Sequence, residues 1–136
     1  MTSDTVLPFM GLMKKAAKLE IGEESVSAAV MKGKAFALLS ANDASPRSAE
    51  KAEKMSRESD IAYMPLPYNK DELGRVLGRG APGMMAITDP GFALKLAEKL
   101  SALEPEKYGE AERMLREARD RLEKRKTGLA RGGCKL

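Results

Sequence analysis

The chain has 136 residues, 43% hydrophobic and 32% charged, with 24 Lys and Arg against 20 Asp and Glu for a net charge of +4. That length suits one domain around one principal core, and that balance excludes a disordered polyelectrolyte. Histidine is absent and cysteine occurs once, at Cys134, which removes imidazole bases, Ser-His and Cys-His catalytic arrangements, imidazole metal ligands and any internal disulfide.

No apolar run approaches a bilayer span, and the opening, with Asp4 and Pro8, lacks the basic-then-apolar order of a secretory signal, so a cytoplasmic protein is expected. Residues 6–18 read as a first helix, with Pro8 tolerated in its opening turn. Residues 23–32 form a second, bounded by Gly22 and capped by Gly33, with Val26, Ala29 and Val30 at helical spacing. The apolar run 36–41 is a buried strand ending at Asn42-Asp43. Ser45-Pro46 then supplies an N-cap and a proline at the first helical position for a third helix running to about Arg57. Residues 61–66 are the next strand, closed by Pro65 and Pro67. Asn69 followed by Glu72 starts a helix through Leu73, Val76 and Leu77 that stops at Gly78. The Gly80-Ala81-Pro82-Gly83 loop leads into a strand over 84–88, and Asp89-Pro90 opens a helix carrying Phe92, Leu94, Leu96, Ala97 and Leu100. Alternating helices and buried strands argue for a sheet sandwiched between helices. The methionines, among them Met10, Met13, Met31, Met55, Met64, Met84 and Met85, fall mostly in apolar patterns and read as core fillers. Tyr63 and Tyr68 flank a buried strand and read as packing residues. With aromatics at 4% and no tryptophan, a base-stacking platform is not expected.

From Pro105 the composition changes. Tyr108, Ala111, Leu115, Ala118 and Leu122 recur at spacings of three and four, the apolar stripe of a long charged helix. Docking on the domain competes here with a coiled-coil contact or a solvated arm. Two of the five stripe positions are alanine, so little area is available for burial, and the preceding domain is expected to fold without this helix. After Glu123 every charge is positive, at Lys124, Arg125, Lys126, Arg131 and Lys135, among Gly128, Gly132 and Gly133, which reads as a flexible basic tail. The organisation expected is a domain over 1–103, an amphipathic charged helix over 104–126 and a tail over 127–136.

Taken in order, several short pieces resemble the bacterial YlxQ branch of the kink-turn RNA-binding ribosomal protein family, that of archaeal ribosomal protein L-seven-Ae. They are Gly22-Glu23-Glu24-x-Val26, Lys32-Gly33-Lys34-Ala35, Ala41-Asn42-Asp43-Ala44-Ser45, Lys70-x-Glu72-Leu73-Gly74 and Ala86-Ile87-Thr88-Asp89-x-Gly91-Phe92. None is specific alone; their order and spacing are. The resemblance spans residues 7–103 and implies an α/β fold, a three-layer α/β/α sandwich around a four-stranded mixed sheet, here with a C-terminal helical extension. It also implies a short strand over 19–21 that periodicity misses.

Members of that family bind RNA along one rim. Aligning Gly22 and Gly33 places the family's asparagine, glutamate and lysine, which read sheared guanine and adenine pairs and nearby phosphates, onto Glu24, Ser25 and Ala28. Glu24 keeps an acceptor for a guanine edge, whereas Ser25 is short and Ala28 uncharged, a departure from the family's pattern. Glu23 and Glu24 also suit the positive end of a helix. Lys70 matches a family lysine that approaches the RNA, and Lys32, Lys34, Arg75 and Arg79 add phosphate donors around it. Ala81-Pro82-Gly83-Met84 corresponds to the apolar loop against which an extruded nucleotide packs; it lacks the order of a phosphate-binding P-loop. Asn42 and Ser45 lie at the strand end on the same rim, where capping the third helix is their structural role.

The function so implied is non-catalytic binding of structured RNA, kink-turn-like, ribosomal or another noncoding RNA, by a monomer needing no cofactor or metal. The ribosome or another protein is a further partner through the C-terminal helix, and no membrane is involved. The alternative is a protein-interaction adaptor that keeps the fold and has lost most RNA recognition. An enzyme needs an acid-base pair converging in a pocket, and the sequence shows none.

Overall fold

The computed structural model describes residues 5–78 and 83–135, with side chains through Arg125. Its elements are α1 (Val6–Lys15), β1 (Leu19–Ile21), α2 (Glu23–Met31), β2 (Ala37–Ser40), α3 (Pro46–Ser59), β3 (Ala62–Pro65), α4 (Lys70–Leu77), β4 (Met84–Ile87), α5 (Pro90–Leu103) and α6 (Pro105–Lys135). The first helix stops three residues earlier than its sequence pattern suggests. Ala17 takes a left-handed conformation (φ 60°), and the Lys18 N–H returns to the Met13 carbonyl while that of Ala17 bonds to Lys14. This is a Schellman end built without glycine, which leaves no composition signal to read. The chain is thereby released for β1, the short strand that the resemblance implied.

The sheet has the order β1-β4-β2-β3, with β2 parallel to β3 and antiparallel to β4, and β1 antiparallel to β4. Each strand is short enough that a single alternation of side chains decides its two faces. Ala37, Leu39, Met85, Ile87, Ala62 and Met64 face the principal core with Leu19, Ile21 and residues of α1, α4, α5 and α6. Leu38, Met84 and Ala86 face a smaller core with Val26 and Ala29 of α2 and Ala52 of α3. Burial on both sides explains why β2 and β4 read as unbroken apolar runs. Ser40, buried at the end of β2, shares a hydrogen bond of 2.7 Å with the Tyr63 hydroxyl. Tyr68 is also buried, so both tyrosines pack as expected. Met31 does not: it is 87% exposed, because it sits in the last turn of α2, beyond Val26 and Ala29, the residues that face the sheet.

The last helix is part of the domain. Tyr108 (1% exposed), Ala111 and Leu115 (2%) enter the principal core, and α5 and α6 form the most extensively packed pair of elements. The Tyr108 hydroxyl donates to the Pro65 carbonyl, and burial pushes its phenol well above the usual range. Of the five stripe positions, these three dock on the domain, while Ala118 and Leu122 are half-buried. Area is carried by the two large residues, and small Ala111 permits close approach. Helix α6 also continues through Lys135, across the segment expected to be a tail. Extending an existing helix avoids the cost of nucleation.

Candidate nucleic-acid interface

Three helices begin at one end of the sheet. β1, β2 and β3 each finish there and hand over to α2, α3 and α4, and β4 starts beside them. Four hydrogen bonds bring the segments together: Gly22 N–H to the Met84 carbonyl (3.0 Å), Ala41 N–H to Gly83 (3.1 Å), Asn42 N–H to Tyr68 (2.8 Å), and Lys70 N–H to Asp43 Oδ1 (2.9 Å). These bonds define the rim. Each helix start contributes about half a positive charge from its unpaired amides.

Local chemistry sets each start. Gly22 holds φ 98° and ψ 153° before α2, a conformation disfavoured for residues with a Cβ. A Cβ there meets nothing within 4 Å, so the requirement is conformational. Ser45 caps α3 by accepting the Ser48 N–H at 3.1 Å. Asn69 and Glu72 form a complete capping box on α4.

The expected site residues divide among several places. Gly22, Glu23, Glu24, Ser25, Asn42, Ser45, Lys70 and Gly83 lie on the rim or in the first turn leading from it. Glu23 is engaged by Lys51 of α3, whose ammonium holds the Glu23 carboxyl below its usual pKa. Glu24 is exposed and, among the described residues, free of ion pairs. Met84 belongs to β4, 3% exposed within the smaller core, so its carbonyl rather than its side chain reaches the rim. Lys32 and Lys34 stand at the opposite end of the sheet, where β2 begins and β4 ends, as the pairing of Phe36 N–H with the Ile87 carbonyl shows. Arg75 lies along α4 in a shallow pocket with Leu12, Lys14 and Lys15 of α1. Arg79, Ala81 and Pro82 fall outside the described residues.

Two basic residues of the rim escape a motif reading. Arg47 and Lys51 are one turn apart on α3, and the charge of each acts on Glu23 of α2. Their signal in the sequence is a basic pair at i and i+4 just after a capped start.

The geometry agrees with comparisons to known proteins. Residues 5–97 match the model of the Ribosomal protein L7Ae/L30e/S12e/Gadd45 family. The chain belongs to this family. It is 35% identical over 97 residues to the RNA-binding protein YlxQ of Bacillus subtilis (strain 168), covering 68% of this chain and 92% of that protein. Among solved structures, a protein with unknown function from Bacillus halodurans superposes with a TM-score of 0.66 at 27% identity, over 71% of this chain and 96% of the other. The Giardia lamblia 15.5kD RNA binding protein shares the fold, with a TM-score of 0.61 at 19% identity over 76% and 88%. Within the L7Ae family frame, α6 lies beyond the matched residues.

Proposed function

We propose that this protein is a non-catalytic RNA-binding protein that seats a structured RNA element of the kink-turn type on the rim. The observation that carries this reading is the convergence of three helix N-termini with Glu24, Asn42 and Lys70 at one end of the sheet, in a chain 35% identical to a named RNA-binding protein. Positive helix ends and the ammonium of Lys70 attract phosphate, and Asp43 fixes the backbone that carries this lysine. Glu24 is the carboxylate available to a guanine edge, because Glu23 is occupied by Lys51. Among the described residues no helix is long and apolar enough to cross a membrane, and a cytoplasmic RNA is the natural partner. A single copy presents the whole rim, so a monomer suffices. RNA binding is favoured over the adaptor reading because Tyr108, Ala111 and Leu115, three of the stripe residues an adaptor would offer to a partner, pack into this chain's own core.

Titration with a kink-turn hairpin and with a plain duplex of equal length tests the proposal. The hairpin should bind more tightly. Glu24→Ala should reduce that preference by about 1–3 kcal/mol, the worth of a good base-edge contact. Lys70→Ala should weaken both RNAs alike and lower the salt slope by about 1. Equal binding of hairpin and duplex by the unmodified protein refutes recognition of the element.

A further inference from the structure

The end of the molecule opposite the rim has its own charge pattern. Lys18, Lys32 and Lys34 line one open cavity of about 610 Å³ together with Glu20, Ser25, Ala28 and Thr88. Two of these lysines are placed by the same device. Lys18 follows left-handed Ala17 and Lys34 follows left-handed Gly33, each sending its N–H back over a helix end, to Met13 and to Ala29. The strands then pin them: Thr88 N–H bonds to the Lys18 carbonyl at 2.9 Å and Phe36 N–H to that of Ile87 at 2.8 Å. Lys14 and Lys15 occupy the last turn of α1 close by. Among the described residues none of these five forms an ion pair. On α6, by contrast, Lys107, Arg113, Arg116 and Arg119 are each matched to a carboxylate.

Helix dipoles do not account for the cluster. The C-terminal ends of α1 and α2 carry about half a negative charge each, which with Glu20 offsets two of the five cations. Three remain unneutralised. The two large hydrophobic residues exposed among the described residues, Leu12 and Met31, flank the same lysines in sequence. Ser25, Ala28 and Lys32 lie on one side of α2 and share the cavity wall, so the surface is continuous with the rim. Helix α6 heads the same way. It passes Pro65 at Tyr108 and reaches Ile61 and Ala62 at Leu115, antiparallel to β3, with exposed Lys124 and Arg125 further along the same helix.

We propose that this end is a second RNA-backbone surface, on which Lys18, Lys32 and Lys34 hold phosphates of the duplex that continues from the rim-bound element. The inference rests on RNA binding as the function and extends its footprint along α2. Unpaired lysines on an open, continuous surface suit a regularly spaced polyanion, and phosphates taken up there release counterions.

The test uses the full chain, a triple variant with Lys18→Ala, Lys32→Ala and Lys34→Ala, and a rim variant with Glu24→Ala and Lys70→Ala. Two RNA probes are titrated over a range of salt: a kink-turn hairpin with short stems, and the same hairpin with one stem lengthened by two turns of duplex. The unmodified protein should bind the longer RNA at least ten-fold more tightly. The triple variant should bind the short hairpin normally, lose that gain, and show a salt slope on the long RNA smaller by about 2–3, one phosphate per lysine. The rim variant should lose affinity for both. No gain from the longer stem, or an equal gain in the triple variant, overturns the proposal. Binding confined to the long RNA and abolished in the triple variant sustains the lysine surface and refutes the rim. Lysine-dependent binding to vesicles of phosphatidylglycerol with no change on either RNA assigns the surface to a membrane and overturns it as well.

Discussion

On the proposed RNA interface, two small side chains of α2 limit what the rim offers to a base edge or a phosphate. Ser25 is half-buried and Ala28 exposed, one turn apart, at the positions where the L7Ae family resemblance places a glutamate and a lysine. Neither offers a charge to an RNA, and nearby Glu23 is held by Lys51, which leaves Glu24 as the acceptor in this turn. Exposure of Ala28 means a lysine fits there without disturbing the core. Restoring both groups by Ser25→Glu and Ala28→Lys is expected to tighten binding of a standard kink-turn by about 1–3 kcal/mol. Comparison of the two dissociation constants at one salt concentration checks this, and equal values show that the rim already reads the element by other means. Residue identity is the legible part of this site. Motif spacing places Gly22, Glu24 and Lys70 on the rim, and the apolar pattern places Met84 at the start of a buried strand, whereas the resemblance alone assigns it to the loop beside an extruded nucleotide. Spacing does not reveal which end of a strand a residue occupies: Lys32 and Lys34 sit next to the motif in sequence and a full strand length from the rim in space.

At the level of elements, α6 shows how an apolar stripe is misjudged by counting. Two alanines among five positions suggest weak attachment, yet Tyr108 and Leu115 are almost wholly buried, and burial of two such side chains is worth about 3–6 kcal/mol. That is a large share of the ~5–15 kcal/mol by which a domain is stable. Leu115→Ala should therefore cost about 2–4 kcal/mol, and truncation after Leu103 should leave no cooperative thermal transition. A truncated chain that melts like the whole would return α6 to the status of an arm. Elements with strong punctuation are legible: the Ser45-Pro46 start, the Asn69 to Glu72 capping box and the Gly33 and Gly78 ends all appear where their chemistry puts them. The end of α1 is not, because Ala17 adopts a glycine-like conformation. Strand β1, at three residues, is too short for alternation to declare itself and follows from the family resemblance alone.

Over the whole molecule, charge is arranged along the axis of the sheet. Capped and positive helix starts gather at the rim, unpaired lysines gather at the far end, and α6 runs between them with its carboxylates and cations matched through its first half. Past Glu123 the balance breaks: five cations and no carboxylate follow, against a net charge of +4 for the chain, so residues 1–123 alone carry a net charge of −1. The chain up to Glu123 is thus close to neutral, and its attraction for a polyanion depends on local patches and on this last stretch. Truncation after Glu123 retains Tyr108, Ala111 and Leu115 and should leave the melting temperature within a few degrees of the full chain. Association with RNA should slow, because long-range steering follows net charge, and the salt slope should fall in proportion to the number of phosphates that the basic stretch neutralises. Preference for a kink-turn over a duplex should persist, since the rim that would supply it is untouched. Stopped-flow association rates at two salt concentrations, set beside equilibrium preference for the two RNAs, separate these effects; a vanished preference with an unchanged rate shows that the basic end of α6 reads the RNA instead of attracting it.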